Sequence, residues 1–174
     1  MTRWRKTLEI VTNVAILAVC CLIGWSYFTH KHLSFGAQAA IGEQEIRLQG
    51  QSLPNLPGYR WGSHQKTLVL AIRKGCHFCE ASLPFYKQLG DLEKSNSFHA
   101  HVLAVMPDEK NAGAGVLQSS GAAIDGVFDQ PLDAIKVSGT PTLLLLDADG
   151  RVEHAWVGQL SAEREKEVIV AAEK

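Results

Sequence analysis

The sequence predicts an α/β domain, a central mixed sheet flanked by helices, placed behind one apolar amino-terminal helix. Three observations predict it. Apolar runs at residues 67–72, 102–106 and 142–146 have the length and composition of buried strands. A segment with helix-like apolar spacing, residues 76–92, lies between the first two. Residues 147–150, Asp-Ala-Asp-Gly, form a hairpin signal between the third run and an alternating stretch at 151–157. Strands that alternate with helices and then close in a hairpin and a helix imply a mixed sheet.

The amino terminus comes first. Arg3, Arg5 and Lys6 make residues 1–7 basic, and residues 8–28 are mostly apolar. About 20 apolar residues cross a bilayer core, with a lower limit near 17. The stretch is therefore expected to be a transmembrane anchor or uncleaved signal, with the basic tail in the cytoplasm. A cleaved signal peptide is the rival, since Ala37-Gln38-Ala39 has the small-x-small pattern, about ten residues beyond the run. Either way the domain is exported, where disulfide chemistry is permitted. Cys20 and Cys21 read as apolar residues of this run.

Residues 29–51 are polar with several Ala and Gly and read as a linker, with a short strand near 45–48. The domain is expected over 52–174. Residues 53–58 are turn-rich. Tyr59 and Trp61 are expected on the domain edge, with Trp61 bordering the active site as the second choice. Pro84 should kink the 76–92 helix by removing a backbone donor. A helix within 108–119, a short strand at 124–128 and a helical turn at 131–135 follow. Ser161 can cap a last helix that runs to about 173.

The chemistry concentrates in Gly75-Cys76-His77-Phe78-Cys79. A thiol in the first turn of a helix faces unpaired N–H groups and the positive end of the helix dipole. Both favour the thiolate, which is the reactive form. Arg73 and Lys74 act in the same sense. Strand, turn, Cys-x-x-Cys and helix is the pattern of a redox dithiol. Two rivals are a metal site completed by His99 and His101, and an inert pair. Those histidines begin the second strand run, which in a parallel sheet is the end away from the cysteines. Charge is balanced, 17 Lys and Arg against 18 Asp and Glu, without a basic stripe in the domain. Nucleic-acid binding is not expected, and no nucleotide or flavin signature suggests a cofactor.

A second signature, Ser138-Gly139-Thr140-Pro141-Thr142, leads into the third strand run. With the cysteine pair, Pro84 five residues after Cys79, and the Asp-Gly hairpin, the chain resembles the thioredoxin superfamily from about residue 53 onward. It looks closest to membrane-anchored extracytoplasmic proteins of the TlpA/ResA type. The resemblance implies a thioredoxin-like fold and a redox disulfide between Cys76 and Cys79. It implies Cys76 as the nucleophile and Cys79 as the resolving thiol. It also implies a cis Pro141 facing them, with Thr140 offering backbone hydrogen bonds to an extended substrate. His77 and Phe78 are candidate substrate contacts. The family often has Trp where this chain has Gly75, and an acid where it has Leu70; Glu80 is the candidate substitute for proton handling.

The expected activity is thiol–disulfide exchange, with a lean toward reducing disulfides of exported proteins. Its expected partners are protein thiols and disulfides, a membrane electron-transfer partner, and the lipid bilayer at the amino-terminal helix. A protonated His77 would pull toward a disulfide oxidase. A thiol peroxidase usually wants Thr where Arg73 stands. A non-catalytic copper carrier would use Cys76, Cys79 and a histidine.

Overall fold

The computed structural model describes residues 2–95, 98–107, 117, 121, 122 and 124–173, without the side chains of 2, 3, 5–12 and 27–38. The chain forms two compact units, Met1–Ala40 and Ile41–Lys174. Helix α1, Thr2–Leu48, begins in the first and ends in the second. In the first unit Val14, Ile16, Leu17, Val19, Leu22 and Ile23 are exposed. Among the described residues no helix is long and apolar enough to cross a membrane. The expected anchor at 8–28 is therefore not shown. Its described side chains cover only 13–26, short of the roughly 17–20 residues a bilayer core needs.

The second unit is an α/β domain around a five-stranded sheet of order β3-β2-β1-β4-β5. Its strands are β1 (Lys66–Ala71), β2 (His101–Val105), β3 (Gly126–Phe128), β4 (Thr142–Asp147) and β5 (Val152–Val157). β1 and β2 pair in parallel, as do β2 and β3, whereas β4 runs antiparallel to both β1 and β5. Helices α2 (His77–Ala81), α3 (Leu83–Lys94) and α4 (Ala162–Glu173) complete the described secondary structure, with short 3-10 turns at Trp61–Ser63 and Leu132–Ile135. The expected helix within 108–119 lies outside the described residues, except for Leu117, which is helical and buried.

The sheet is apolar on both faces because strand side chains alternate. Leu68, Leu70, Val102, Ala104, Leu143 and Leu145 join one core with Phe85, Leu89 and Val168 of the helices. Val69, Ala71, Leu103, Val105, Leu144 and Leu146 join a second core. That second core holds Trp61, whose Nε1–H donates to the Leu53 carbonyl at 3.2 Å. Trp61 is thus a core residue, and the alternative of an active-site border is not met.

Residues 45–48 differ from the expected short strand: they are the last turn of α1. Ile41, Gln44, Glu45 and Leu48 recur at helical spacing, and Leu48 is buried in the second core. Glu45 accepts from both Arg164 Nη2 (3.0 Å) and the Val157 N–H (2.7 Å). The compact unit therefore starts at Ile41, and this end of the helix packs as part of it.

Candidate active site

β1 is a central strand, and its carboxyl end delivers the chain to the sheet's rim at Arg73-Lys74-Gly75. Gly75 turns there at φ +66°, in the left-handed region that glycine enters without a side-chain clash. Cys76 is the N-cap of α2, and its Sγ accepts from the Cys79 N–H at 3.2 Å. The same N–H donates to the Cys76 carbonyl at 2.9 Å, so the sulfur shares a bifurcated donor in the first turn of the helix, where a capping oxygen usually sits. Cys76 and Cys79 are joined as a disulfide, Cα to Cα 5.2 Å. Cys76 is half-buried, whereas Cys79 is only 6% exposed within the core.

The helix that carries the pair is broken at Ser82, between α2 and α3. Pro84 has no N–H to return to Glu80, and its ring opposes the carbonyl there. Ser82 takes up part of the slack by donating its hydroxyl to the Phe78 carbonyl at 2.8 Å.

Opposite the cysteines stands the loop before β4. The Thr140–Pro141 peptide bond is cis. The Thr140 carbonyl oxygen lies 3.6 Å from Cys76 Sγ, and its hydroxyl donates to the same sulfur at 3.5 Å. The Pro141 carbonyl accepts from the Gly158 N–H at 2.8 Å, and Thr142 Oγ1 donates to the Gly139 carbonyl at 2.9 Å. Cys76, Cys79, Thr140 and Pro141 thus come together, from two segments more than sixty residues apart in the chain, at one end of the sheet. His77 and Phe78 are exposed beside them, their rings in edge contact, and Phe78 is 56% exposed. Glu80 is exposed on the next turn.

Behind Cys79 a cavity of about 70 Å³ is bordered by Glu80 at its rim and by Ile72, Leu83, Tyr86 and Met106 inside. Burial pushes the Tyr86 hydroxyl pKa well above its ordinary value, with Ser82 beside it pulling slightly the other way. The Ser82 hydroxyl is committed to Phe78, and Tyr86 Oη has no hydrogen-bond partner among the described residues. Tyr86 therefore stays a neutral phenol. Leu70 is fully buried in the apolar core.

His101 pairs with Thr67 at the start of β1 and β2, the end of the sheet remote from Cys76. Its Nδ1 lies 2.9 Å from Asp125 Oδ2, and its ring stacks on His64. His99 is exposed two residues earlier. Neither reaches the cysteines, and among the described residues no cluster of three or more His, Cys, Asp or Glu is placed to hold a metal. Sequence reasoning missed the contribution of α1: Gln44 Nε2 donates to Ser138 Oγ at 3.0 Å, in the loop before Pro141. The helical spacing of Ile41, Glu45 and Leu48 was the signal that pointed to it.

Comparison with known proteins agrees with this geometry. Among solved structures, a thiol:disulfide interchange protein from Bacteroides sp. superposes with a TM-score of 0.54 at 14% identity, covering 72% of this chain and 91% of that one. The thioredoxin domain of a thiol-disulfide oxidoreductase from Bacteroides vulgatus gives 0.52 at 14% identity, covering 71% and 96%. A thiol:disulfide interchange protein from Chlorobium tepidum gives 0.50 at 18%, covering 63% and 81%. At such identities the likeness is one of fold. No curated protein matches the chain by sequence. A family model described as a thioredoxin-like domain matches residues 61–173. That span takes in the strand before the cysteines, the dithiol helix, the cis-proline loop and the closing hairpin. The chain accordingly belongs to the thioredoxin-like family, as a thiol–disulfide oxidoreductase with a Cys-x-x-Cys active site.

Proposed function

We propose that the protein reduces disulfides of exported proteins. The observation that carries the exchange reading is the unequal burial of the pair, Cys76 half-buried at a helix start and Cys79 enclosed one turn later; the reductive direction follows the resemblance to TlpA/ResA-type proteins. An exposed sulfur is reachable by a protein substrate, and an enclosed one is reachable only by its partner.

In the reduced protein the Cys76 thiolate attacks one sulfur of the client disulfide. A Cys76–client bond forms, the client's S–S bond breaks, and the other client thiolate leaves and takes a proton from solvent. Cys79 then loses its proton and attacks Cys76 Sγ. The Cys76–Cys79 disulfide forms, the Cys76–client bond breaks, and the second client thiolate leaves and takes a proton from solvent. Two electrons have passed from the dithiol to the client.

Glu80, at the rim of the cavity behind Cys79, is the acceptor for the Cys79 proton in this scheme. Thr140 offers its backbone to an extended client beside Cys76, and Pro141 fixes the direction in which it points. His77 and Phe78, exposed at the same place, contact the client's flanking residues. A reduced dithiol protein at the membrane recharges the pair. Export is supported by the sequence alone: Arg3, Arg5 and Lys6 before an apolar run. The membrane tether expected at 8–28 belongs to the same proposal.

The test is the equilibrium potential of the pair in the full chain against a glutathione buffer, with Cys76→Ser as the control. A reductase requires a potential near or below about −250 mV; a value above about −150 mV reverses the direction to oxidation. Absence of any reversible disulfide overturns the exchange reading itself.

A further inference from the structure

The end of α1 grips the loop that faces Cys76 from both sides. On the amino side, Gln44 Nε2 donates to Ser138 Oγ at 3.0 Å, two residues before Thr140. On the carboxyl side, Glu45 Oε1 accepts from the Val157 N–H at 2.7 Å. The next N–H along, that of Gly158, holds the Pro141 carbonyl at 2.8 Å. Glu45 itself is held by Arg164 Nη2 of α4, at 3.0 Å from each carboxylate oxygen. The Glu45 side chain is 17% exposed and that of Arg164 32%, so this ion pair, with one nitrogen shared between both carboxylate oxygens, is partly sheltered from solvent. Leu48, one turn on, fixes the helix in the second core.

The geometry points to Gln44 and Glu45 as positioning residues for the exchange reaction. They fix the Ser138–Pro141 loop so that the Thr140 backbone is presented to an extended peptide at the moment its disulfide meets Cys76. The inference rests on the exchange reaction proposed above. The argument is one of ordering. A loop that must offer a backbone hydrogen bond to a substrate loses conformational freedom on binding, unless other contacts have already ordered it. Ser138 is exposed, and Gly139 beside it lacks a side chain to pack, so this stretch has little burial to order it. The contacts from α1 supply that order from outside the loop. Neither residue touches the sulfurs; the loop's own contacts with Cys76 Sγ, from Thr140 at 3.5 and 3.6 Å, are long and weak, so the effect of Gln44 and Glu45 falls mainly on peptide recognition.

Two substrates separate these effects in the full chain. One is a cysteine peptide in mixed disulfide with glutathione, which has a backbone for Thr140 to hold. The other is hydroxyethyl disulfide, which has none. Gln44→Ala is expected to raise KM for the peptide disulfide about fivefold, the scale of one neutral hydrogen bond. Its kcat and its rate with hydroxyethyl disulfide should match the unaltered protein. Glu45→Ala should do the same or more. Glu45→Gln, which keeps an oxygen to accept from Val157, should restore most of the peptide KM. Gln49→Ala is the control, since Gln49 Nε2 donates to the Glu153 carbonyl at 2.7 Å, away from the loop; its KM should not change. Equal losses on both substrates would mean general damage and overturn the inference, as would an unchanged peptide KM in Gln44→Ala. If the unaltered protein reduces neither substrate, the exchange reading has failed, a result distinguishable from either of these.

Discussion

The backbone N–H of Cys79 donates to Cys76 Sγ at 3.2 Å as well as to the Cys76 carbonyl at 2.9 Å, so the first cysteine of the pair caps the helix that carries the second. The donor remains when the disulfide is reduced, because it belongs to the backbone. A thiolate at Cys76 then accepts a hydrogen bond that a neutral thiol accepts more weakly, and it sits at the positive end of the α2 backbone. Cys79 is enclosed within the apolar core, which raises the cost of charge on its sulfur. Alkylation of the reduced protein with iodoacetamide should therefore label Cys76 before Cys79. Peptide mapping checks the order. Equal labelling of both cysteines would remove the basis for assigning attack to Cys76 and resolution to Cys79. The Cys79→Ser variant should accumulate the mixed disulfide with glutathione at Cys76, whereas Cys76→Ser should form none at Cys79.

Two glycines with similar backbone angles should respond very differently to alanine. Gly75 has φ +66° and Gly150 has φ +75°, so each substitution places a side chain in the left-handed region. That alone costs roughly 1–2 kcal/mol. Around Gly75 the space is open. At Gly150 a new Cβ would collide with the buried Trp61 ring, which is itself held by the Leu53 and Pro54 carbonyls. Overpacking adds about 1–3 kcal/mol. Urea unfolding should show Gly150→Ala losing about 2–5 kcal/mol and Gly75→Ala only the smaller backbone share. Similar losses at both positions would mean that Trp61 can move aside.

Much of this was legible in the residues. The strands, the hairpin and the dithiol helix follow from local pattern: apolar runs of strand length, Asp-Gly at the turn, and a cysteine at a helix start. The break at Ser82 follows from a proline that lacks an N–H. Other features depend on partners far along the chain. Trp61 has the same local sequence whether it lines a site or a core, and what decides is Gly150, 89 positions later, which leaves room for its ring. The segment at 45–48 carries too few apolar residues to announce a helix. It is helical because Leu48 finds the second core and Glu45 finds Arg164, contacts that local spacing only hints at.

That distinction gives a prediction for the end of α1. Ile46 and Leu48 are two residues apart and similar in size, yet Ile46 is 75% exposed and Leu48 is 1% exposed. Were this segment a linker, alanine at either position would change little. Because Leu48 is part of the core, Leu48→Ala should cost about 2–5 kcal/mol through lost burial and the cavity left behind. Ile46→Ala should stay within about 0.5 kcal/mol. Urea denaturation with the exchange-competent pair kept oxidised reads both. A Leu48→Ala loss as small as that of Ile46→Ala would detach the helix end from the folded domain.

His101 makes stability depend on pH. Burial holds its pKa below the ordinary 6.5; the neighbouring Asp125 carboxylate opposes the shift and His64 adds to it. The groups packed around it are Asp125, the His64 ring and the Tyr59 ring. A lowered folded-state value means the unfolded chain binds the proton more readily than the native protein. The stability that comes from keeping His101 neutral is then complete above the unfolded value and is lost as pH falls through the folded one. The urea midpoint should accordingly decline on acidification below 6.5. The informative quantity is the difference between the unaltered protein and His101→Phe, which keeps an aromatic ring against His64 and cannot be protonated. The variant's midpoint should fall less steeply over that window. If instead the unaltered protein gains stability relative to His101→Phe as the pH falls, the Asp125 attraction outweighs burial and the sign of the shift is reversed.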